Sequence, residues 1–201
     1  MGQQLASTGF GGGTIAVRGA LLDFVRDPFY SPDAEAVRYV ADGLLLVRDG
    51  HIEAAGTYQD LESSLGDRPL VDHTGKLITP GLIDTHIHYP QTGMMAAYGE
   101  QLLEWLNRYT FPTEGKFADA AYARQVAEVF LDELLKNGTT TALVFAAVFP
   151  ASVDAFFEAA EARRLRMISG KVMMDRNAPD YLSDTAQSSY DDSKALIEKW
   201  H

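Results

Sequence analysis

The chain of 201 residues carries 17 Lys+Arg against 28 Asp+Glu, a formal net charge of −11, and is 46% hydrophobic and 22% charged. Such a balance fits one or two ordinary globular domains and excludes a disordered or fibrous chain. The acidic excess argues against nucleic-acid or anionic-membrane partners, which need clustered Lys and Arg, and the lack of any cysteine leaves His, Asp and Glu as the side chains able to hold a metal.

Residues 1–13 are polar and end in Gly11-Gly12-Gly13, which predicts a disordered tail. No basic start leads into an apolar stretch, so a secretory signal is not expected, and Ala6 stands where a myristoylation motif needs Ser or Thr. No apolar run approaches the roughly 20 residues of a membrane-crossing helix. A cytoplasmic location is the expectation, consistent with the absence of cysteine.

From residue 14 to 76 the pattern predicts a small antiparallel, β-sandwich-like domain. Thr14 to Phe24 reads as a strand with a bulge at Gly19-Ala20. Val37 to Leu46 and His51 to Thr57 form a hairpin about Arg48-Asp49-Gly50, Tyr58 to Leu65 a short helical turn, and Pro69 to Leu77 a further strand.

From residue 77 the rhythm becomes strand–helix. Leu77 to His88 is a strand interrupted by Pro80-Gly81, and Glu100 to Tyr109 a short amphipathic helix. Asp119 caps a helix to Lys136 whose stripe is Tyr122, Val126, Val129, Phe130 and Leu134, stopped by Asn137-Gly138. Thr139 to Val148 reads as a strand covered on both faces, Ser152 caps a helix to Arg164, Arg166 to Met174 is a third buried strand, and Ser189-x-x-Asp192 opens a last helix. The fold class is therefore α/β, with residues 77–201 as the first βα units of a barrel preceded by the small β domain. Since a complete (β/α)₈ barrel takes about 250 residues, the chain reads as the front half of something longer.

His86-Ile87-His88 is the main chemical signal. Residues i and i+2 of a strand share a face, so both imidazoles project together near the C-terminal mouth where barrel enzymes keep their sites. Two imidazoles suit a zinc ion, and imidazole suits iron as well, but a catalytic site needs at least one more protein ligand. Two unrelated histidines explain the pair about equally well on spacing alone. Asp84, on the same face, either orients these ligands or bonds to backbone. His51, His73 and His201 read as surface residues. Trp105, Tyr109 and Phe111 fit core at helical spacing better than a pocket wall, and Asp175 and Asn177 fit turn chemistry before Pro179. No phosphate-loop or Gly-x-Ser-x-Gly pattern is present.

Pro80-Gly81-Leu82-Ile83-Asp84-Thr85-His86-Ile87-His88 resembles the first-strand metal motif of the amidohydrolase superfamily. Residues 102–114 (LLEWLNRYTFPTE), 135–141 (LKNGTTT) and 170–177 (GKVMMDRN) resemble, within it, the guanine deaminase family. This resemblance covers residues 77–201 and extends to the preceding β domain. It implies an amidohydrolase-type (β/α)₈ barrel and hydrolytic deamination of guanine to xanthine and ammonia. It also implies one zinc per subunit, held by His86 and His88 with further ligands, and a homodimer. It further implies that Gln91 hydrogen-bonds the base beside His88; a carboxamide suits that task because it both donates and accepts. The remaining ligands and the general acid/base match no residue here, so the 201-residue chain alone is expected to be inactive. A different aminated heterocycle as substrate, a metal-free binding module, and a barrel domain with His86 and His88 as core residues are the competing readings.

Overall fold

The computed structural model describes residues 13–201; the predicted tail, except Gly13, lies outside the described residues. The chain divides between Pro80 and Gly81 into two compact units.

The first unit is a four-stranded sheet of β1 (Thr14–Phe24), β2 (Val37–Arg48), β3 (His51–Thr57) and β4 (Leu70–Ile78), in the order β3-β2-β1-β4. The β2–β3 hairpin turns at Asp49 and Gly50, with φ of 51° and 81°, the left-handed geometry a tight two-residue turn requires. The β1–β2 register shifts between Gly19 and Leu21, where the sequence predicts a bulge. The sheet is not antiparallel throughout, because β4 pairs parallel with β1. The reason is the route of the chain: β3 ends at one edge, and the helical turns Tyr58–Leu61 and Glu62–Ser64 carry it to the opposite edge. A crossover reverses the sense of pairing that a hairpin would give. Tyr58, Leu61 and Leu65 of that crossover cover a core of Ala16, Leu44 and Leu46. The arrangement among the described residues is one mixed sheet with a helical cover, in place of the expected antiparallel sandwich.

The second unit is a parallel sheet of β5 (Leu82–His88), β6 (Thr139–Phe145) and β7 (Arg166–Gly170), in that order. Its long helices are α1 (Ala120–Lys136), α2 (Pro150–Ala162) and α3 (Ala186–Trp200). The strand expected from Leu77 to His88 is two strands, with Ile78 ending β4 and Leu82 starting β5. Gly81 sits where a Cβ would fall 2.0 Å from the Thr140 hydroxyl, so only glycine lets the chain pass.

Ala142 and Val144 of β6 point into the core formed with Ala123, Ala127, Phe130 and Leu131 of α1 and Val153, Phe156 and Ala160 of α2. Leu143, on the opposite face, is 41% exposed, so β6 is covered on one face rather than two. Asp119 caps α1 by accepting from the Ala121 N–H. The buried stripe of α1 uses Ala123, Ala127 and Leu131 in place of the expected Val129, which is exposed. α2 begins at Pro150; Ser152 lies inside its first turn, where its hydroxyl donates to the Phe149 carbonyl and accepts from the Ala147 N–H. α3 is capped four residues before the expected Ser189, at Thr185, whose hydroxyl and that of Ser188 cap each other's backbone. The β7 strand stops at Gly170, short of Met174. No helix among the described residues is long and apolar enough to cross a membrane.

Candidate metal centre

β5 delivers His86 and His88 to the sheet face opposite the helices, while Ile87 between them packs against the core. The two imidazole centres lie 5.3 Å apart, tilted by 56°. Two imidazoles on one tetrahedral ion, each nitrogen about 2.0–2.1 Å from it, have ring centres roughly 5 Å apart. The pair therefore fits two positions of a single metal site.

Phe145, at the end of β6, fixes both rings. Its centroid is 4.9 Å from that of His86, and 4.5 Å from that of His88, which it meets nearly parallel at 11°. Burial, and then the neighbouring His86, hold the His88 pKa below the ordinary imidazole range. That favours the neutral ring, the form that ligates a metal. Asp84 accepts the backbone N–H of His86 at 2.9 Å, where the β5–β6 register slips between Asp84 and Ile87. Of the two readings open for Asp84, the structure shows the backbone one.

After His88 the chain tightens into 3₁₀ turns over Tyr89–Met94. Gln91 is thereby folded back: its amide nitrogen lies 3.4 Å from His88 Nδ1 and donates to Glu114 Oε1 at 3.1 Å. Glu114 is only 4% exposed, and burial raises its pKa against the opposing effect of the Gln91 bond. It lies in an irregular helical run: Leu102–Trp105 is α-helical, Leu106–Thr110 a π turn, Phe111–Glu114 α-helical again, and Gly115–Ala118 a 3₁₀ turn. Pro112 explains the widened turn, since it cannot donate to the carbonyl four residues back and its ring crowds that oxygen. The expected short amphipathic helix is thus longer and interrupted, with Leu102 and Leu103 exposed. Phe111 is buried, as its spacing suggests, but half-buried Trp105 lines a cleft of about 490 Å³ with His86, His88, Gln91, Met94 and Met95.

Among the described residues no group of three or more His, Asp or Glu side chains is placed to hold a metal, so His86 and His88 stand as a pair. His51 and His201 are exposed, and His73 is half-buried within β4 rather than fully solvated. Asn177 adopts a left-handed turn conformation (φ 56°) and Asp175 is exposed, as turn chemistry predicts. Sequence reading missed Phe145 and Glu114 as parts of this site. Phe145 was accessible from the alternation of β6, which places it on the face opposite Ala142 and Val144; Glu114 had no such signal.

Guanine deaminase of Escherichia coli (strain K12) is 57% identical over 189 residues, covering 92% of this chain and 43% of that protein. Its solved structure gives a TM-score of 0.87 at 56% identity, over 93% of this chain and 44% of that one. Guanine deaminase of C. acetobutylicum, solved with guanine bound in its active site, gives 0.78 at 29% identity over 93% and 43%. A zinc complex of atrazine chlorohydrolase from Arthrobacter aurescens gives 0.71 at 25% identity over 93% and 43%. The chain spans less than half the length of these relatives. Residues 77–201, which hold the parallel sheet and the histidine pair, match the amidohydrolase family, and the chain belongs to that family.

Proposed function

We propose that the protein carrying this chain hydrolyses guanine to xanthine and ammonia, with a zinc ion held in part by His86 and His88. The observation that carries the reading is the pair of imidazoles on one face of β5, with ring centres 5.3 Å apart and spaced for a single ion. Support for the substrate comes from the guanine deaminases of 57% and 29% identity, one of them solved with guanine bound. Support for zinc comes from the zinc-bound relative and from imidazole donors, which would accept iron too.

When bound, such an ion supplies the Lewis acidity that makes water nucleophilic near neutral pH. The chain's own residues bind and orient. Gln91 offers a carboxamide to the polar edge of the base beside His88, and Trp105, Met94 and Met95 give the cleft apolar walls. The general acid/base and the remaining ligands have no counterpart here, so the 201-residue chain by itself is proposed to be inactive. In the same reading residues 77–201 open a (β/α)₈ barrel, the small β domain precedes it, and the intact protein is a cytoplasmic homodimer with one ion per subunit. A second reading, in which another aminated heterocycle is the substrate, draws on the atrazine-hydrolysing relative.

The test is loss of guanine absorbance by the intact gene product, with and without a chelator, alongside elemental analysis. Chelator-sensitive formation of xanthine is the expected result. Bound zinc without conversion would remove guanine and favour the second reading. Absence of both metal and conversion would overturn the enzyme reading.

A further inference from the structure

We infer that Glu114 is a positioning residue that fixes the amide orientation of Gln91, holding the amide nitrogen on its own side and turning the carbonyl oxygen away from it. The inference rests on the proposed base-binding role of Gln91 and deepens it. Gln91 and Glu114 are 23 residues apart and meet because the 3₁₀ turns after β5 and the helical run through Glu114 converge. A primary carboxamide presents a donor or an acceptor depending on which way it is turned, and the two orientations have nearly the same shape. An acceptor oxygen of Glu114 beside it removes that freedom, because it draws the amide N–H to its own side. Glu114 Oε1 takes one hydrogen of the Gln91 amide at 3.1 Å, which places the amide nitrogen on the Glu114 side, 3.4 Å from His88 Nδ1. No side-chain bond from a described residue uses Gln91 Oε1.

The placement of Glu114 is otherwise hard to justify. It is 4% exposed and Gln91 is its hydrogen-bond partner, although a buried carboxylate is costly unless well paired. Thr110, one helical turn earlier, is also buried, and its hydroxyl has no partner. A position that served only to fill space would be better occupied by an apolar side chain of similar size.

The experiment compares Glu114→Gln, Glu114→Met, Gln91→Ala and the Glu114→Gln/Gln91→Ala pair in the intact protein. It reads kcat and KM for guanine, metal content and thermal unfolding. Glu114→Gln, equal in shape but free to donate, is expected to raise KM about tenfold with kcat changed less than about twofold, the signature of lost uniform binding. Metal content should be unchanged, and the pair should be no worse than Gln91→Ala alone, because Glu114 acts through Gln91. Glu114→Met carries the same expectation if Glu114→Gln does not fold. Unchanged KM in a folded variant, or a pair that is additive, would overturn the inference while leaving the guanine reading intact; so would failure of both Glu114 variants to fold, which would make the residue structural. A parent protein without guanine turnover would fail on the function reading first, and the inference falls with it.

Discussion

The hydroxyl of Tyr89 donates to the carbonyl of Ser152 at 2.5 Å, tying the residue after His88 to the first turn of α2. Both residues are fully buried, and the Tyr89 ring packs between Phe117 and Phe156 at centroid distances of 5.2 Å each. Burial pushes the phenol pKa well above its ordinary value, which keeps the hydroxyl a donor at neutral pH. The histidine strand is thus anchored immediately beyond its second imidazole, from the helical side of the sheet. Tyr89→Phe is expected to lower stability by about 1 kcal/mol, the net worth of one hydrogen bond, while Tyr89→Ala costs about 3–5 kcal/mol through the cavity it leaves. Urea midpoints of the two variants check this; equal losses would mean the hydroxyl contributes as much as the ring.

Lys171, the first residue after β7, has a fully buried side chain whose ammonium contacts Asp184 at 2.6 Å, with Asp192 at 3.8 Å. Ser189 also donates to Asp184 Oδ2, so the cluster closes the start of α3 against the end of the strand. Removing one member of a buried pair strands the other charge. Asp184→Ala leaves the buried ammonium without its close partner and is expected to cost about 3–5 kcal/mol. Lys171→Met leaves a carboxylate that keeps a Ser189 bond and reaches solvent, and should cost clearly less. Denaturant unfolding of both variants decides; a milder Asp184→Ala would refute the account.

The strand elements were legible where local chemistry dictated them. His86 and His88 share a face because strand alternation puts them there, and Asp119, Asn137-Gly138 and Asp49-Gly50 mark their ends and turns through capping and left-handed geometry. Legibility failed where the outcome depended on the route of the chain. Nothing in the period of residues 70–78 tells whether that strand pairs parallel or antiparallel with β1; the crossover at Tyr58–Ser64 decides it. Glu114 was hidden for a related reason. The π turn at Leu106–Thr110 breaks the 3.6-residue period, so the face on which Glu114 falls cannot be counted from Leu102, and its partner lies on another element. Val129 was misplaced because small alanines at 123 and 127 let α1 approach the sheet on their side, leaving the larger valine outside.

In the small β unit, Glu53 accepts from Arg48 and Arg68, and those bonds hold its carboxyl below the ordinary glutamate range. A depressed folded-state pKa contributes stability that is present above the unfolded value, about 4.3, and is lost as pH falls through the folded one. Glu53→Gln should therefore destabilise the protein at neutral pH and become indistinguishable from the parent once Glu53 itself is protonated. Thermal midpoints of both proteins from pH 7 down to pH 3 test the sign; a gap that widens on acidification would contradict it.

The contact of Phe145 with both imidazoles leads to a prediction about the metal itself. Its ring lies nearly parallel to His88 at 4.5 Å and against His86 at 4.9 Å, which restricts the rotation of both rings. Phe145→Leu keeps an apolar residue at a position that is only half-buried, so the fold should lose little. The aromatic contacts, worth about 0.5–1.5 kcal/mol each beyond area, are lost, and both imidazoles must then be ordered on binding. Metal affinity of the intact protein should fall about tenfold, which is about 1.4 kcal/mol of added ordering cost. Competition with a chromophoric chelator measures this directly, and His88→Ala sets the scale, because it deletes a proposed ligand and should lower affinity far more. Unchanged affinity in Phe145→Leu would mean that the ladder and the Asp84–His86 bond already hold the imidazoles, and that the aromatic stack contributes packing alone.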